Sequence, residues 1–419
     1  MRMIQLLGAA PRAKTVNWWR WFAIGIFGAV FLIFGSVLDA AKGGNPGKPG
    51  DTDPPDPPPE SPAGVVYMWE REPGRGIQPI GVFQMNPDGS NRQLLFSFFN
   101  STDGYEYSQI AASQHVYSTQ AFPVGSRLFA CVKRKSGYIE PSQGRNLSTG
   151  LVIIDEANNV LAELIGNDAM AVHPGSLVWY GEDQRLAFIG WEVTKLPPEV
   201  PSEQTKFTCD WTTMGVYTMD VSIDPSGLIT HGSPELVPWT HDLFYVPDVY
   251  SNFEMQAIQV RTDALGDEWI YFTAPNRDNL DISPIDPGVY RTRLNDLITD
   301  FRQIERLDQP PLHQAYFEHF RIDPSGSIIS GDREEGGKAG IVYLYIQTGD
   351  TVSHFPEAKT VDGWRSLTWS PTGEHIIFTQ HRSWNGDSLL ATAAFENAIK
   401  IYRYYHVGQA GIIGWCATP

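Results

Sequence analysis

The sequence predicts an all-β fold in which one short hairpin motif recurs along the chain. The clearest copy, SLTWSPTGEHIIFTQ at residues 366–380, places a Ser-Pro-Thr-Gly turn between two strand-like runs. Pro371 presets φ for the first corner of a β-turn, and Gly373 accepts the positive φ that closes it. Related turns, Asn-Pro-Asp-Gly or Asp-Pro-Ser-Gly, occur at 86–89, 224–227 and 323–326. Such repetition is typical of a β-propeller or a solenoid.

The strand-like runs fall into six groups of three or four, which predicts a β-propeller of six blades, with seven as the alternative. The groups span residues 65–96, 127–164, 177–219, 255–304, 317–355 and 366–402. The first group lacks an innermost strand, and the apolar run at 410–415 is expected to supply it. Closure by a strand from the far end of the chain would remove the exposed edge of an open ring.

Composition supports this fold class and excludes one class of partner. Aromatic residues make up 12% of the 419 residues, and 39 Gly and 31 Pro divide the chain into short elements. This favours many short strands over long helices. The net charge is −17, and the first 38 residues hold four basic residues and no acid, so the remainder is still more acidic. Such a surface repels phosphate backbones, and we expect no nucleic-acid binding.

The three cysteines predict neither a zinc site nor a disulfide framework, because they form no C-x-x-C and no zinc spacing. Cys131 lies in a strand-like run and is predicted to be a small core residue. Cys209 and Cys416 could pair in an oxidising compartment, and the sequence leaves that open.

A single transmembrane helix is predicted near the N-terminus. Residues 22–38 form an uncharged apolar run of about the minimum length that spans a bilayer. Three tryptophans stand at its N-terminal edge, where indoles favour the membrane interface, and all four basic residues precede it. The positive-inside rule places residues 1–21 in the cytoplasm. The alternative is a cleaved signal peptide, but residues 36–41 lack a good small-x-small cleavage pattern.

Residues 39–63 form a Pro- and Gly-rich linker ahead of the predicted propeller domain, residues 64–419. Glycines near its start make it flexible, and the later prolines favour an extended polyproline II spacer. At ~3.1 Å per residue, about twenty residues could hold the next domain up to ~60 Å from the membrane. We therefore expect a single-pass protein of the bacterial cytoplasmic (inner) membrane, with its propeller in the periplasm or outside.

The segment from Trp369 to Phe378 resembles the repeat of TolB-type propellers, a WD40-like (PD40-type) repeat whose core reads W-S-P-D-G-x-x-I-A/V-F. Thr372 stands where that family prefers Asp. The turn at 323–329 and the strands at 178–188 are similar, although the latter have Gly-Glu-Asp in place of Pro-Asp-Gly. The resemblance implies propeller architecture over 64–419 and, by analogy with TolB, a role in bridging envelope proteins.

The resemblance also has limits. TolB carries a small α/β domain before its propeller, whereas this chain has the predicted anchor and spacer. Prolyl-oligopeptidase-type enzymes add a hydrolase domain to a propeller, but no G-x-S-x-G elbow occurs here and no room remains for such a domain.

Polar residues near the predicted innermost strands are candidates for a ligand or metal site in the central channel. His313, Glu318 and His319 belong to the fifth group, and Glu254 and Arg365 occupy comparable places on neighbouring groups. The alternative is that they are ordinary hydrogen-bonded channel residues. A metal site would need three or four converging ligands.

A Pro-containing acidic loop could supply oxygen ligands to calcium. It contains Asn276, Asp278, Asn279, Asp281 and Asp286. These residues do not fit the spacing of a calcium-binding loop, so a solvated loop is preferred. We therefore predict no cofactor, with calcium or another divalent metal as the alternative.

Two long insertions between strands, at 191–211 and 382–395, are candidates for partner binding because loops on a rigid ring commonly carry specificity. Their aromatic residues Trp191, Phe207, Trp211 and Trp384 are of the type that anchors interfaces. The alternative is that these loops only cap their own blades.

The leading expectation is a non-catalytic binding or scaffold propeller tethered to the membrane, whose partner is another envelope or inner-membrane protein or a subunit of a larger membrane complex. The alternative is a propeller enzyme, a hydrolase or lyase, that acts on an envelope glycan or peptide in the channel. A third possibility is that the anchor itself, with Gly25 and Gly28, packs into a membrane assembly.

Overall fold

The computed structural model describes most of the chain from residue 62 to residue 418, and these residues belong to one compact unit, Pro59–Pro419. The described residues are 62–71, 79–100, 105–119, 126–135, 148–166, 169–173, 176–196, 206–244, 258–274, 288–308, 320–335, 338–354, 366–381, 387–395, 400–407 and 409–418. The predicted transmembrane helix 22–38 and almost the whole linker 39–63 lie outside them. Within the described residues, no helix is long and apolar enough to cross a membrane.

Nearly all regular structure in the described residues is β-strand, as predicted. The first half contains β1 (Val65–Arg71), β2 (Pro79–Met85), β3 (Gln93–Ser97), β4 (Phe99–Asn100), β5 (Tyr105–Ala112), β6 (Phe129–Lys135), β7 (Ser148–Ile154), β8 (Val160–Ile165), β9 (Met170–Val172), β10 (Val178–Tyr180), β11 (Arg185–Leu196), β12 (Lys206–Ile223), β13 (Ile229–His231), β14 (Glu235–Leu236) and helix α1 (Pro238–Phe244).

The second half continues in the same manner. It contains β15 (Ile258–Thr262), β16 (Glu268–Ala274), β17 (Gly288–Arg293), a 3-10 helix (Phe301–Gln303), β18 (Glu305–Arg306), β19 (Arg321–Ile322), β20 (Ile328–Glu335), β21 (Lys338–Tyr345), β22 (Thr351–His354), β23 (Leu367–Trp369), β24 (His375–His381), β25 (Asp387–Ala394), β26 (Lys400–Val407) and β27 (Gln409–Cys416).

The described strands form five sheets in a propeller-like arrangement. Four are four-stranded antiparallel meanders with the orders β27-β1-β2-β3, β15-β16-β17-β18, β19-β20-β21-β22 and β23-β24-β25-β26. The fifth has eleven strands and contains two further runs, β5-β6-β7-β8 and β10-β11-β12-β13. In that sheet, β9 pairs with both β7 and β11 and so joins the two runs. The predicted grouping of strands is therefore visible in part in the hydrogen-bond pattern. Strand β5 was not predicted, and the strand predicted at 301–304 is instead the 3-10 helix Phe301–Gln303, followed by β18.

The two ends of the described chain pair with each other. Strand β27 runs antiparallel to β1, with Val65 opposite Cys416 and Arg71 opposite Gln409. Because β1 pairs with β2 on its other side, β27 is the strand that completes the first sheet. This confirms the prediction that the run 410–415 supplies the strand missing from the first group.

The predicted turns have the expected chemistry. In each of the four, the amide of the glycine donates to a carbonyl three residues earlier, at 2.9–3.0 Å, and the glycine φ lies between +76° and +91°. These glycines are Gly89, Gly227, Gly326 and Gly373. A fifth turn of this kind, from Asp263 to Gly266, escaped the sequence analysis because it has Ala-Leu between its ends and no proline.

The core lies between the sheets and is strongly apolar. Central strands are buried along most of their length, as residues 151–154 of β7 and 270–274 of β16 show, so that apolar side chains on both faces of a sheet meet those of its neighbours. Phe188 stacks on Tyr217 at 5.9 Å between ring centroids, and Phe272 stacks on Tyr290 at 5.6 Å. Cys131 is fully buried, as predicted, and burial raises the pKa of its thiol.

Cys416 is also a buried free thiol in the structure, and burial raises its pKa to about 11. It packs in the core beside Ser113, whose carbonyl lies 3.7 Å from the sulfur. The disulfide with Cys209 that the sequence left open is therefore not formed here.

Arg127 connects both ends of the described chain to the next sheet. Its side chain is 1% exposed, and its Nη1 donates to the carbonyls of Ser113 at 2.6 Å and Gln114 at 2.7 Å. Its Nη2 donates to the carbonyl of Ala417 at 3.1 Å, just after β27, and its Nε donates to the hydroxyl of Tyr67 in β1 at 3.3 Å. One guanidinium thus bonds to β1, to the end of β27 and to the residues after β5.

We expect the substitution Arg127→Met to destabilise the protein by about 3 kcal/mol or more, because it leaves the buried carbonyl of Ser113 and the partly buried carbonyls of Gln114 and Ala417 without their donor. Urea denaturation of the full-length protein in mild detergent measures this free energy of unfolding. The control is Arg293→Met, because Arg293 is half-exposed and pairs with Asp267 at the surface, where a loss of at most about 1 kcal/mol is expected. Equal losses in the two variants would contradict the role assigned to Arg127.

Candidate functional site

The innermost strands of the arrangement surround a cavity of about 1370 Å³. Each contributes a partly exposed residue to its lining. In β15, β23 and β27 this residue lies between two buried neighbours, as expected for a strand whose alternate side chains face a channel. Among its lining residues are Ile413 of β27, Ile110 of β5, Trp179 of β10, Gln259 of β15, Arg321 of β19 and Thr368 of β23. This cavity is the candidate site.

Arg185 forms the densest charge network at the cavity wall. Its Nη1 donates to both carboxylate oxygens of Glu268, at 2.7 and 2.5 Å, and its Nε lies 2.8 Å from Asp220. Its guanidinium also lies 5.1 Å from the ring centroid of Tyr180. Burial lowers the pKa of Arg185, but the hydrogen bond to Glu268 and the neighbouring negative charges outweigh it and raise that pKa overall. Since Glu268 begins β16, this network joins two adjacent sheets.

A turn of left-handed backbone leads from β10 into β11. Gly181, Glu182 and Asp183 have φ of +58°, +57° and +60°, a conformation that non-glycine residues adopt only at a cost. The Asp183 carboxylate offsets that cost by accepting a hydrogen bond from the backbone amide of His115 at 2.5 Å, and it lies 3.0 Å from the His115 ring. Burial raises the pKa of Asp183 in spite of these bonds.

Arg261 reaches from β15 to the next sheet. Its guanidinium donates to the carbonyl of Asp323 and, at 2.6 Å, to that of Pro324, both in the turn after β19. Burial lowers the pKa of Arg261, and the nearby Asp323 carboxylate opposes that effect. The Arg261 guanidinium is therefore occupied by its hydrogen bonds to the neighbouring turn.

Arg321, on β19, differs from the other two arginines of the wall. Its Nη1 donates to the carbonyl of Phe320 at 3.0 Å, and no carboxylate of the described residues pairs with it. Part of its surface faces the cavity while protein surrounds the rest, and burial lowers its pKa to about 10. Arg321 is therefore a cation held at the cavity with little to neutralise it.

The sequence analysis missed these arginines, although a signal was present. Arg261 and Arg321 each stand two residues before the aspartate that opens a turn, in Arg-Thr-Asp and Arg-Ile-Asp. In a strand, residues two apart share a face, so each arginine is placed on the same side as the turn aspartate.

The prediction that Trp191 is an exposed loop anchor for a partner is wrong. Trp191 lies within β11, is 7% exposed and belongs to the hydrophobic core. In the described part of the predicted loop 191–211, residues 191–196 and 206–211 instead continue the β11–β12 hairpin, with Leu196 opposite Lys206. These residues form strands and not a loop because they are rich in Thr, Val and aromatic residues, which favour strands. Likewise, 387–394 of the second predicted insertion form strand β25.

The structure leaves the other candidates largely untested. Phe207 and Trp211 lie on β12, where the backbone of Phe207 pairs with that of Lys195. Trp384, Glu254, Glu318, His319 and Arg365 lie outside the described residues, as do His313 and the predicted calcium ligands at 276–286. Within the described part of the chain, no three His, Cys, Asp or Glu side chains are grouped so as to hold a metal ion.

Comparisons with known proteins find similarity only at the level of structure. No protein-family model matches the chain, and no curated protein is significantly similar to it. TolB from Acinetobacter baumannii is similar with a TM-score of 0.45 and 13% identity, over 84% of this chain and 66% of that chain. The chain thus spans slightly less than two thirds of the TolB chain.

Two other solved structures illustrate the range of similar proteins. A nidogen/laminin complex has a TM-score of 0.44 and 7% identity, over 85% of this chain and 99% of that chain. Oligogalacturonate lyase in complex with manganese has a TM-score of 0.32 and 10% identity, over 81% and 85%. Values this low carry no information on activity.

Two aspartates of the cavity wall are expected to affect stability with opposite pH dependence. Burial raises the pKa of Asp183, so the unfolded chain loses this proton first as the pH rises, and the stability of the protein falls above the ordinary Asp pKa. The hydrogen bond from the Trp269 indole lowers the pKa of Asp263, so its contribution is present above the ordinary pKa and is lost as the pH falls.

Urea denaturation at about pH 4 and about pH 7, on either side of the ordinary Asp pKa range, distinguishes the two. Relative to the wild type, Asp183→Asn should gain stability as the pH rises, and Asp263→Asn should lose it. Only the change with pH is tested, because both substitutions also alter hydrogen bonds. Parallel pH curves for the two variants would show that these assignments are wrong.

Proposed function

We propose that this chain is a non-catalytic, membrane-anchored propeller of six blades that binds another protein of the bacterial envelope. The six blades are the four-stranded runs, two of which share the eleven-stranded sheet. They are β27 with β1–β3, β5–β8, β10–β13, β15–β18, β19–β22 and β23–β26. Their number matches the six groups of the sequence and is preferred over seven.

The length of the β11–β12 hairpin is the observation that supports a binding function. Strands β11 and β12 have 12 and 18 residues, whereas the other described strands have two to eight. Pairing continues past the bulge beside Trp191 as far as Leu196 and Lys206. We call residues 191–211 the arm.

The base of the arm is fixed in the core. Trp191 and Val193 are 7% and 8% exposed and belong to a core cluster that also contains residues of their own sheet and of β15–β17 in the next one. A rigid base lowers the entropy that a binding loop loses on complex formation. Phe207 and Trp211 lie on β12, the second strand of the arm, and are the proposed anchors. Trp384, in the second predicted insertion, is a further proposed anchor.

The location follows from the sequence of the N-terminal region. The apolar run 22–38 with its basic N-terminal flank supports an uncleaved anchor, and the linker 39–63 supports a spacer between membrane and propeller. The partner is then an envelope or inner-membrane protein, or a subunit of a larger membrane complex. The net charge of −17 favours a partner with a basic docking surface.

A pull-down of the full-length chain from native membranes in mild detergent tests the arm. Phe207→Ala and Trp211→Ala should each reduce recovery of a stoichiometric partner at least about tenfold, because truncating a central aromatic anchor costs about 2 kcal/mol or more. The control is Leu265→Ala, since Leu265 is 87% exposed and lies in the turn between β15 and β16, on another blade. Unchanged recovery with both arm variants would overturn the proposed docking site.

The anchor is tested by extraction of membranes with alkaline carbonate. Wild-type chain should stay in the membrane fraction, and the double substitution Val30→Lys with Phe31→Lys should release it, because each lysine costs about 3 kcal/mol at the centre of a spanning helix. Gly47→Lys, in the linker, is the control and should not change the distribution. A mature chain that lacks residues 1–38 by mass would instead show a cleaved signal peptide.

The cavity favours one second candidate function, a hydrolase or lyase acting on an envelope glycan or peptide. Its volume of about 1370 Å³ is ample for a small-molecule site. Glu254, Glu318, His319 and Arg365 would then be the catalytic or binding residues, with calcium or another divalent metal as cofactor. Metal in the purified protein, and turnover lost in Glu318→Gln, would support this candidate over the first.

A further inference from the structure

The innermost strands present two chemically different sets of side chains to the cavity. Going round the ring, the first three blades present Ile413, Ile110 and Trp179, and the next three present Gln259, Arg321 and Thr368. All six are partly exposed, so each offers surface to the cavity. At these six positions the first three residues are apolar and the next three are polar or cationic, while charged residues such as Arg185, Glu182 and Asp183 also line the cavity beside the first three.

Arg321 is a cation of the cavity wall for which the described residues supply no counter-charge. A guanidinium has five N–H donors, and the bond to the carbonyl of Phe320 uses one. No carboxylate of the described residues pairs with it, and a buried cation without a counter-charge is costly. By contrast, Arg185 is bound by two carboxylates and Arg261 by two carbonyls.

Four of the five carboxylates that line the cavity are engaged elsewhere. The fifth, Glu182, is exposed in the turn that leads into β11, and no carboxylate is among the causes that shift the pKa of Arg321. Glu268 and Asp220 bind Arg185, and Asp183 binds His115. Asp263 accepts from the amides of its own turn and from the Trp269 indole. These acids are therefore not counter-ions for Arg321.

We propose that the cavity binds a small organic carboxylate with an apolar body. The carboxylate occupies the free donors of Arg321, with which it can form two parallel hydrogen bonds. The apolar body lies against Trp179, Ile110 and Ile413, where it removes apolar surface from water. The side chains of Gln259 and Thr368 flank the carboxylate as further hydrogen-bond donors. This site is separate from the arm and does not depend on the partner proposed above.

Equilibrium dialysis of the full-length protein in mild detergent against 3-phenylpropionate tests the proposal, with protein-free detergent as the blank. Two comparison probes separate the contributions of the walls. Acetate keeps the charge without the apolar body, and 3-phenylpropionamide keeps the body without the charge. Both are expected to bind at least about tenfold more weakly than 3-phenylpropionate, since a charge-assisted bond and a buried ring each contribute at least this factor.

Arg321→Gln should weaken 3-phenylpropionate binding by about ten- to a hundredfold, as expected for loss of a charged hydrogen-bond partner. The matched control is Arg293→Gln at the outer surface, which should bind as the wild type does. Thermal unfolding gives an independent readout. Without ligand, Arg321→Gln should melt at the same or a higher temperature than the wild type, because an uncompensated charge is removed. Added 3-phenylpropionate should raise the melting temperature of the wild type but not that of Arg321→Gln.

Three results would overturn the proposal. They are no binding of 3-phenylpropionate at millimolar concentration, equal binding of its amide, and unchanged affinity in Arg321→Gln. A lower melting temperature of the ligand-free Arg321→Gln variant would also count against it, because Arg321 would then be stabilised by groups of the protein itself. Loss of partner recovery in the arm variants has no bearing on these outcomes.

Discussion

The structure depends on the pairing of its two ends. Strand β27, from the end of the chain, pairs with β1, from the start of the described residues, and completes the first sheet. Arg127 reinforces this closure from within the core, since it bonds to Tyr67 beside β27 and to Ala417 after it. Strand β27 is also bonded to the sheet on its other side. Ser366, just before β23, accepts a hydrogen bond from the Ile412 amide at 2.8 Å and donates one to the Ile412 carbonyl at 3.0 Å. Without β27, strand β1 would be an unpaired edge on which another strand could add.

Polar cross-links between adjacent blades continue round the whole ring. In chain order they are Arg127 with Tyr67, Asp183 with His115, Arg185 with Glu268, Arg261 with the Asp323 carbonyl, Trp369 with the Arg321 carbonyl, and Ser366 with Ile412. Most sit near the turns at the inner strands, where side chains of neighbouring blades come closest. These bonds fix the blades against one another and so hold the cavity wall in shape. The Arg321 side chain takes no part in a described cross-link, which is why its charge remains available to the cavity.

Two surfaces of this scaffold therefore have different roles. The arm is an extension of one hairpin, and its burial at Trp191 and Val193 gives it a fixed root in the core. The cavity is lined by residues of all six runs of strands, and apolar and charged side chains both face it. The proposed protein partner and the proposed carboxylate thus depend on separate residues, and neither function requires the other.

The sequence by itself determined the fold class, because turn chemistry and strand periodicity are local properties. The glycines at 89, 227, 326 and 373, each with its turn partner, and the apolar run 410–415 could all be identified from neighbouring residues. The sequence could not identify the site. Trp191 has the composition of an interface residue, and only the extension of β11 shows that it is buried. Arg185, Arg261 and Arg321 have similar sequence surroundings, and only contacts with other blades distinguish them. Charge compensation is decided by groups that are distant in sequence, so the tertiary structure alone could show which arginine is left facing the cavity.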